Sequence, residues 1–283
     1  MYDEVRAQLD ACRDVVDSRQ ETDNIFRVKL GLDPTDRIIH ARGHVHTPAL
    51  ETVRHIVSER LAGVPLAYLL GRADFDGHSF IVTRDVLIPR QDTEFLLRRG
   101  DWFIRDQLKP KRSMRMLDLG SGSGCVGIAL ALRHPRLEVM FIDISPAALD
   151  VARRNARLHG VEQRCQFLEG DWFEPLDRRE RFDLILSNPP YVTRRNDPLL
   201  EKCVRDHEPR LALFLNEDPR EFFFRLGRSG VSHLRTGGLF AVEVGYDTGW
   251  PAREALDKLK SLDRVQGIHD FNGTERVIWG LRR

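Results

Sequence analysis

The chain has 283 residues, 41% hydrophobic and 31% charged, enough for a sizeable core, and no run of about 18 apolar residues that would span a membrane. Lys and Arg number 44 against 43 Asp and Glu, so the net charge of +1 lacks the basic surplus of a protein that wraps nucleic acid. The four cysteines, Cys12, Cys125, Cys165 and Cys203, form no C-x-x-C pair, which argues against a zinc site and a disulfide framework and fits a reducing, cytoplasmic compartment.

The stretch Met1 to Ser18 is charged throughout and has no apolar segment of the kind a secretory signal carries. Within it Val5, Leu9, Cys12 and Val16 recur at helical spacing. A second helix is predicted to start with Thr47 as N-cap and Pro48 at its first position, with Leu50, Val53, Ile56, Val57 and Leu61 as its apolar stripe. Gly63 and Pro65 end it. From Tyr68 to Pro89 the pattern turns to short β-like runs carrying Phe75, Phe80, Val82, Val86 and Ile88, broken at Asp76-Gly77 and Arg84-Asp85.

Beyond Met114 strand and helix alternate. Strands are predicted at 114–119, 138–142, 165–168, 182–187, 239–244 and 276–279, with helices at 124–132 and 145–159. The expected organisation is a helical domain over 1–72, a β-hairpin linker over 73–90 and a doubly wound α/β domain over 91–283.

The run Leu117-Asp118-Leu119-Gly120-Ser121-Gly122-Ser123-Gly124 follows the first of these strands and opens a helix. Glycines there let the backbone turn sharply and approach a ligand. Gly122-x-Gly124-x-x-Gly127 also matches a dinucleotide fingerprint, so two cofactors compete. A dinucleotide brings an anionic pyrophosphate to the helix N-terminus, and Asp118 would set a carboxylate against it. S-adenosylmethionine carries an ammonium and a sulfonium, which a carboxylate suits. Asp118 therefore favours S-adenosylmethionine. Asp143, about 20 residues on, ends the next strand where an acid accepts from ribose hydroxyls; the alternative is a cap for the helix near Ser145. Asp171 and Trp172 follow the third strand at the expected adenine rim, with Trp172 as a wall for the base or as core.

Asn188-Pro189-Pro190-Tyr191 follows the strand 182–187, at the carboxyl edge where open α/β sheets bind ligands. Proline has no N–H, so this segment offers carbonyls and few donors, and Asn188 adds a side-chain carbonyl. Two such acceptors hold a planar NH2 group with its lone pair aimed at a methyl donor, and Tyr191 is placed to stack on the flat group. Adenine, cytosine and a glutamine amide would all be served, so the tetrapeptide alone leaves the substrate open.

The whole pattern resembles the protein-(glutamine-N5) methyltransferases that modify peptide chain release factors. The resemblance rests on Pro65-x-x-Tyr68-x-x-Gly71, Phe75 to Phe80, Leu87-Ile88-Pro89-Arg90 with Asp92-Thr93-Glu94, the 118–124 loop, Asn188-Pro189-Pro190-Tyr191, Glu208-Pro209 and a closing Asp270-Phe271-x-Gly273-x-Glu275-Arg276-Val277. Gln91 departs from the family's usual proline, as does Leu215-Asn216-Glu217-Asp218-Pro219, where a glycine is usual.

The resemblance implies a seven-stranded Rossmann-like methyltransferase sheet and a small helical N-terminal domain that helps hold the protein substrate. It implies methylation, by S-adenosylmethionine giving S-adenosylhomocysteine, of the glutamine in the Gly-Gly-Gln loop of class 1 release factors. Expected cofactor contacts are Asp118, Leu119, Gly120, Ser121, Gly122, Asp143, Asp171, Trp172 and Asn188. Expected substrate contacts are Asn188, Pro189, Pro190, Tyr191, Arg90 and Glu94, with Asn188, Pro189 and Tyr191 at the chemistry and no metal. For Arg90 and Glu94 a structural turn and salt bridge is the competing role. His207-Glu208-Pro209 and Glu243-Val244-Gly245 also look like the sister enzymes that methylate a large-subunit ribosomal protein, whereas the Leu-Ile-Pro-Arg and C-terminal runs favour the release factor branch. Direct nucleic-acid binding is not expected.

Overall fold

A computed structural model describes residues 1–12, 15–33, 35, 47–107 and 113–283. The chain forms two compact units, one of Met1–Arg72 with Leu200–His207, the other of Ala73–Leu199 with Glu208–Arg283. The first unit thus takes back a segment from deep within the 91–283 stretch.

In the first unit, α1 (Tyr2–Asp10), α2 (Ser18–Leu30), α3 (Thr47–Leu61) and α4 (Leu66–Leu70) close on Val5, Leu9, Ile25, Phe26, Val53, Ile56 and Val57. The first helix is shorter than its spacing predicts: it stops at Asp10, and Val16 is 100% exposed. Leu61 is also exposed, so the apolar stripe of α3 narrows to its middle turns. The predicted capping by the Thr47 side chain lies outside the described residues. Helix α2 is well signposted at both ends: Asp17 accepts from the Gln20 N–H, and Gly31 closes the helix in the left-handed region.

The second unit opens with a hairpin of β1 (Arg72–Phe75) and β2 (His78–Ile81). Asp76 and Gly77 both have positive φ, as a two-residue hairpin turn requires. Then follow α5 (Thr93–Gln107), β3 (Met114–Leu119), α6 (Cys125–Arg133), β4 (Leu137–Asp143), α7 (Pro146–Leu158), β5 (Cys165–Glu169), β6 (Phe182–Ser187) and the short β7 (Val192–Thr193). After α8 (Lys202–His207), which belongs to the first unit, come α9 (Arg210–Leu213), β8 (Phe214–Leu215), α10 (Pro219–His233), β9 (Leu234–Glu243), α11 (Gly249–Asp257), β10 (Leu262–His269) and β11 (Glu275–Arg282).

Seven strands form one sheet in the order β10-β11-β9-β6-β3-β4-β5. The five strands from β9 to β5 run parallel, and β11 enters antiparallel between β9 and β10. Alternate residues face opposite cores. Met116, Leu184 and Leu186 join Leu96, Leu97 and Ile104 of α5 and the small residues of α6. Leu119, Ile185 and Val242 join Phe222, Phe223 and Leu226 of α10 and Leu256 of α11. A sheet buried on both faces explains why its strands read as near-continuous apolar runs. The chain winds outward from β3 to β5 on one side and returns to β6 on the other, so β3 and β6 flank the switch point of the sheet.

Asn155 of α7 ties the hairpin to the glycine loop. Fully buried, it accepts from the Ile81 N–H at 2.7 Å and donates to the carbonyls of Ile81 at 3.0 Å and Ser123 at 2.9 Å. Asn155→Ala orphans the Ile81 N–H and is expected to cost about 1–3 kcal/mol, read as a lower denaturant midpoint at unchanged m-value.

Candidate active site

A cavity of about 360 Å³ opens at the carboxyl ends of β3 and β6, within the range of small-molecule sites. Register explains what meets there. Leu119 pairs with Ser187, whose Oγ donates to the Leu119 carbonyl at 2.8 Å, so the glycine loop and the Asn188 tetrapeptide leave the sheet side by side. Gly120 has φ +69°, and a Cβ on it would sit 3.8 Å from the Trp172 ring and 4.0 Å from the Asn188 carbonyl oxygen.

The loop separates the two competing cofactors more sharply than sequence did. Asp118 is only 4% exposed, and its Oδ2 accepts from the Gly127 N–H at 2.9 Å, in the first turn of α6. The anion slot of that helix N-terminus is therefore filled by the protein's own carboxylate. The N–H groups of Gly120 and Ser121 donate to the Ile142 carbonyl, that of Gly124 to Ser121, and that of Gly122 to Asp143 Oδ2 at 2.8 Å. Few donors remain to cradle a phosphate. Gly127 has a packing reason to be glycine: a Cβ would come within 2.6 Å of the Phe141 ring. The fingerprint spacing thus arises from helix-on-sheet packing and sharp turning rather than from pyrophosphate binding.

Burial pushes the Asp118 carboxyl up to about 7; the Gly127 N–H opposes the rise and Asp143 adds to it. This buried acid is short of a cation, and a ligand bearing one fits it. Asp143 is also raised by burial, against hydrogen bonds from the backbone of Ser145, Gly122 and Ile144. The cap of α7 is Ser145, whose Oγ accepts from the Ala148 N–H, so Asp143 holds the loop itself. Trp172 lines the cavity, takes a left-handed backbone at φ +49° and packs edge-on against Phe222.

Of the residues singled out from sequence, Arg90, Asp118, Gly120, Ser121, Gly122, Asp143, Asp171, Trp172, Asn188 and Pro190 share this wall. Leu119, Pro189, Tyr191 and Glu94 are not among the lining residues. Leu119 is fully buried beneath it. Glu94 pairs with Arg98 one turn along α5 at 2.7 Å. Tyr191 is half-buried, and its hydroxyl donates to Glu243 Oε1 at 3.2 Å. Arg90 does take a salt bridge: its guanidinium meets the buried carboxylate of Glu208, whose other oxygen accepts from the Ile88 N–H at 3.2 Å. That carboxylate fastens the segment bearing Pro209, Leu211 and Ala212 over one side of the cavity, beside Val86, Leu87 and Pro89.

Two further residues belong to the site without having been assigned a role from sequence, Thr93 on the cavity wall and Glu243 behind it. Thr93 Oγ1 accepts from Asn188 Nδ2 at 3.2 Å, and the carboxyl of Glu243 lies beyond it. Both belong to short runs visible in the sequence, Asp92-Thr93-Glu94 and Glu243-Val244-Gly245, but nothing local reveals that they meet. Among the described residues no cluster of three His, Cys, Asp or Glu could hold a metal ion, and no helix is long and apolar enough to cross a membrane.

Comparison with known proteins adds to this geometry. Residues 98–212 match the family described as Methyltransferase small domain, and residues 2–71 the one described as PrmC N-terminal domain. A release factor glutamine methyltransferase of Bordetella pertussis is 41% identical over 234 residues, covering 82% of this chain and 84% of that protein. One of Geobacter sulfurreducens is 35% identical over 266 residues, covering 94% and 90%. Among solved structures, the N-terminal domain of human METTL16 in complex with SAH aligns with a TM-score of 0.54 over 79% of this chain and 83% of that one. At 15% identity that likeness shows a shared fold alone.

Proposed function

The chain belongs to the release factor glutamine methyltransferase family, and from that premise we propose that it methylates the side-chain nitrogen, N5, of the glutamine in the Gly-Gly-Gln loop of class 1 release factors, in the cytoplasm. The methyl donor in this reading is S-adenosylmethionine, which supplies an electrophilic sulfonium methyl when bound and leaves as S-adenosylhomocysteine. The residues present fit it: Asp118 offers a buried carboxylate to its cationic end, Asp143 acceptor oxygens to its ribose, and Trp172 with Asp171 a wall for its base. The helical first unit, residues 1–72, is read as helping to hold the protein substrate.

The observation that carries the proposal is the side chain of Asn188. It lines the cavity beside Gly120, and its Nδ2 is already committed to Thr93. Its Oδ1 is then the end left to accept an N–H from a substrate amide. Together with the donor-poor prolines, that acceptor holds a carboxamide in one plane, with the nitrogen lone pair facing the methyl carbon. Once methylated, the nitrogen is acidic and releases its extra proton to solvent without a strong base. Arg90 and Pro190 shape the mouth through which the glutamine enters, and Tyr191 stands behind it, held by Glu243.

The test is incubation of the enzyme with S-adenosylmethionine and purified class 1 release factors, large-subunit ribosomal proteins or nucleic acid, followed by mass spectrometry. One added methyl on the loop glutamine of a release factor is expected. Methylation confined to a ribosomal protein or to a base would overturn the assignment.

A further inference from the structure

Resting on the reading of Asn188 as the acceptor, we infer that Glu243 and Thr93 are positioning residues: the buried carboxylate sets the direction of a hydrogen-bond relay that decides which end of the Asn188 amide faces the substrate. A side-chain amide has a donor end and an acceptor end of almost equal shape, and only its partners choose between them. In this site Asn188 Nδ2 donates to Thr93 Oγ1. A threonine hydroxyl has a single proton, so when it accepts from Nδ2 its own proton must find another acceptor.

Glu243 provides it. The residue ends β9 and is 1% exposed, and Thr93 is 2% exposed. Glu243 Oε1 takes the hydroxyl of Tyr191, while the enclosed Oε2 has no partner at full hydrogen-bond geometry. The Thr93 hydroxyl lowers the proton affinity of that carboxyl, and in the inferred relay it turns its proton toward this enclosed carboxylate. An ionised carboxylate only accepts, so the relay runs one way, from Asn188 N–H to Thr93 O–H to Glu243. The Asn188 oxygen is then turned outward. The same carboxylate grips both ends of the tetrapeptide, Asn188 through Thr93 and Tyr191 directly. Gly245 makes room for this: a Cβ there would come within 2.8 Å of the Tyr191 ring.

A buried carboxylate is costly, and glutamine would fill the same volume without charge. Glu243 keeps the charge, and the relay gives it a use. Its charged neighbours pull in both directions: Asp92 ahead of α5 raises its proton affinity, and Arg276 on β11, itself paired with Asp270, lowers it. With burial dominant the carboxyl is pushed up to about 7. Protonation would make Glu243 a donor to Thr93 and reverse the relay.

Three variants test this: Thr93→Val, isosteric but without the hydroxyl; Thr93→Ser, which restores it; and Glu243→Gln. Thr93→Val and Glu243→Gln are expected to lower kcat by about 10–10²-fold, since misplacing a positioned group costs up to about 10² in rate. Cofactor affinity and the KM for release factor should stay within about threefold, and Thr93→Ser within about threefold of wild type in kcat. The acid limb of the wild-type kcat profile near pH 7 should vanish in Glu243→Gln. A folded, cofactor-binding Thr93→Val with kcat within about twofold of wild type would overturn the relay. If Asn188→Ala is itself fully active, the acceptor reading fails first; if Asn188→Ala is crippled while Thr93→Val is not, only the relay fails.

Discussion

Asn188→Ala is expected to lower kcat by about 10²–10³ while S-adenosylmethionine binds within about threefold of wild type. The magnitude follows from what one fixed dipole contributes in a dry site, by analogy with the loss of one oxyanion-hole donor. An amide nitrogen is a poor nucleophile because its lone pair is delocalised into the carbonyl. Its reactivity depends on being held so that the small share of electron density on nitrogen faces the electrophile. In the proposed mechanism this task falls to the Asn188 oxygen, and Asn188 lines the cavity beside the loop that carries Gly120. Truncation to alanine removes the acceptor and leaves the strand, the prolines and the cofactor wall in place. Single-turnover rates with saturating release factor, set beside cofactor titration calorimetry, separate the two effects. Near-full turnover in Asn188→Ala would show that the backbone carbonyls suffice and that the side chain is a spectator.

How much of this was legible beforehand differs by element. The strand 182–187 could be read to the residue because Phe182 to Ser187 is buried on both faces and bounded by Asn-Pro. The glycine loop could be read because its composition has few other uses. Helix α5 was not, although Leu96, Leu97, Phe103 and Ile104 sit in the core. Charged residues interrupt its buried positions, Arg99 and Asp101 among them, while Trp102 faces out, so no clean apolar stripe shows in the sequence. Strand β10 hid for another reason. It is an edge strand with two register shifts and a positive φ at Arg264, so its apolar residues never alternate cleanly. The support of the site was the least visible part. Thr93 lies 95 positions from Asn188, and Glu243 lies 52 from Tyr191. Those contacts exist only because β9, β6 and the start of α5 end at the same rim, which is a property of sheet order and not of any local run.

Sheet order also explains the second large effect. Asp118 is the penultimate residue of β3, at the switch point, with its carboxylate turned toward both α6 and the cavity. Burial raises its proton affinity from an ordinary 3.8 to about 7, so in the free protein ionisation above neutrality is costly. For an acid whose folded value is raised, the contribution to stability is present at low pH and is lost as pH climbs through about 7. A cation placed against the carboxylate reverses that cost. S-adenosylmethionine should therefore bind tightest above neutrality and weaken by up to tenfold per unit as pH falls below about 7, taking Asp118 through its titration. Its protection against thermal unfolding should be larger at pH 8 than at pH 6. Asp118→Asn keeps the shape and the option of accepting from Gly127 but forfeits the charge. Loss of one partner from a desolvated charge pair costs about 2–5 kcal/mol, so affinity should fall at least ~30-fold and the pH slope should flatten. S-adenosylhomocysteine sharpens the reading, because it retains the ammonium and has no sulfonium. If Asp118 serves the ammonium, both ligands share the slope. If it serves the sulfonium, only the methyl donor shows it, and product release is then aided by the same charge that holds the substrate form. An Asp118→Asn protein that binds within threefold of wild type across this range would mean that the carboxylate serves the helix terminus alone.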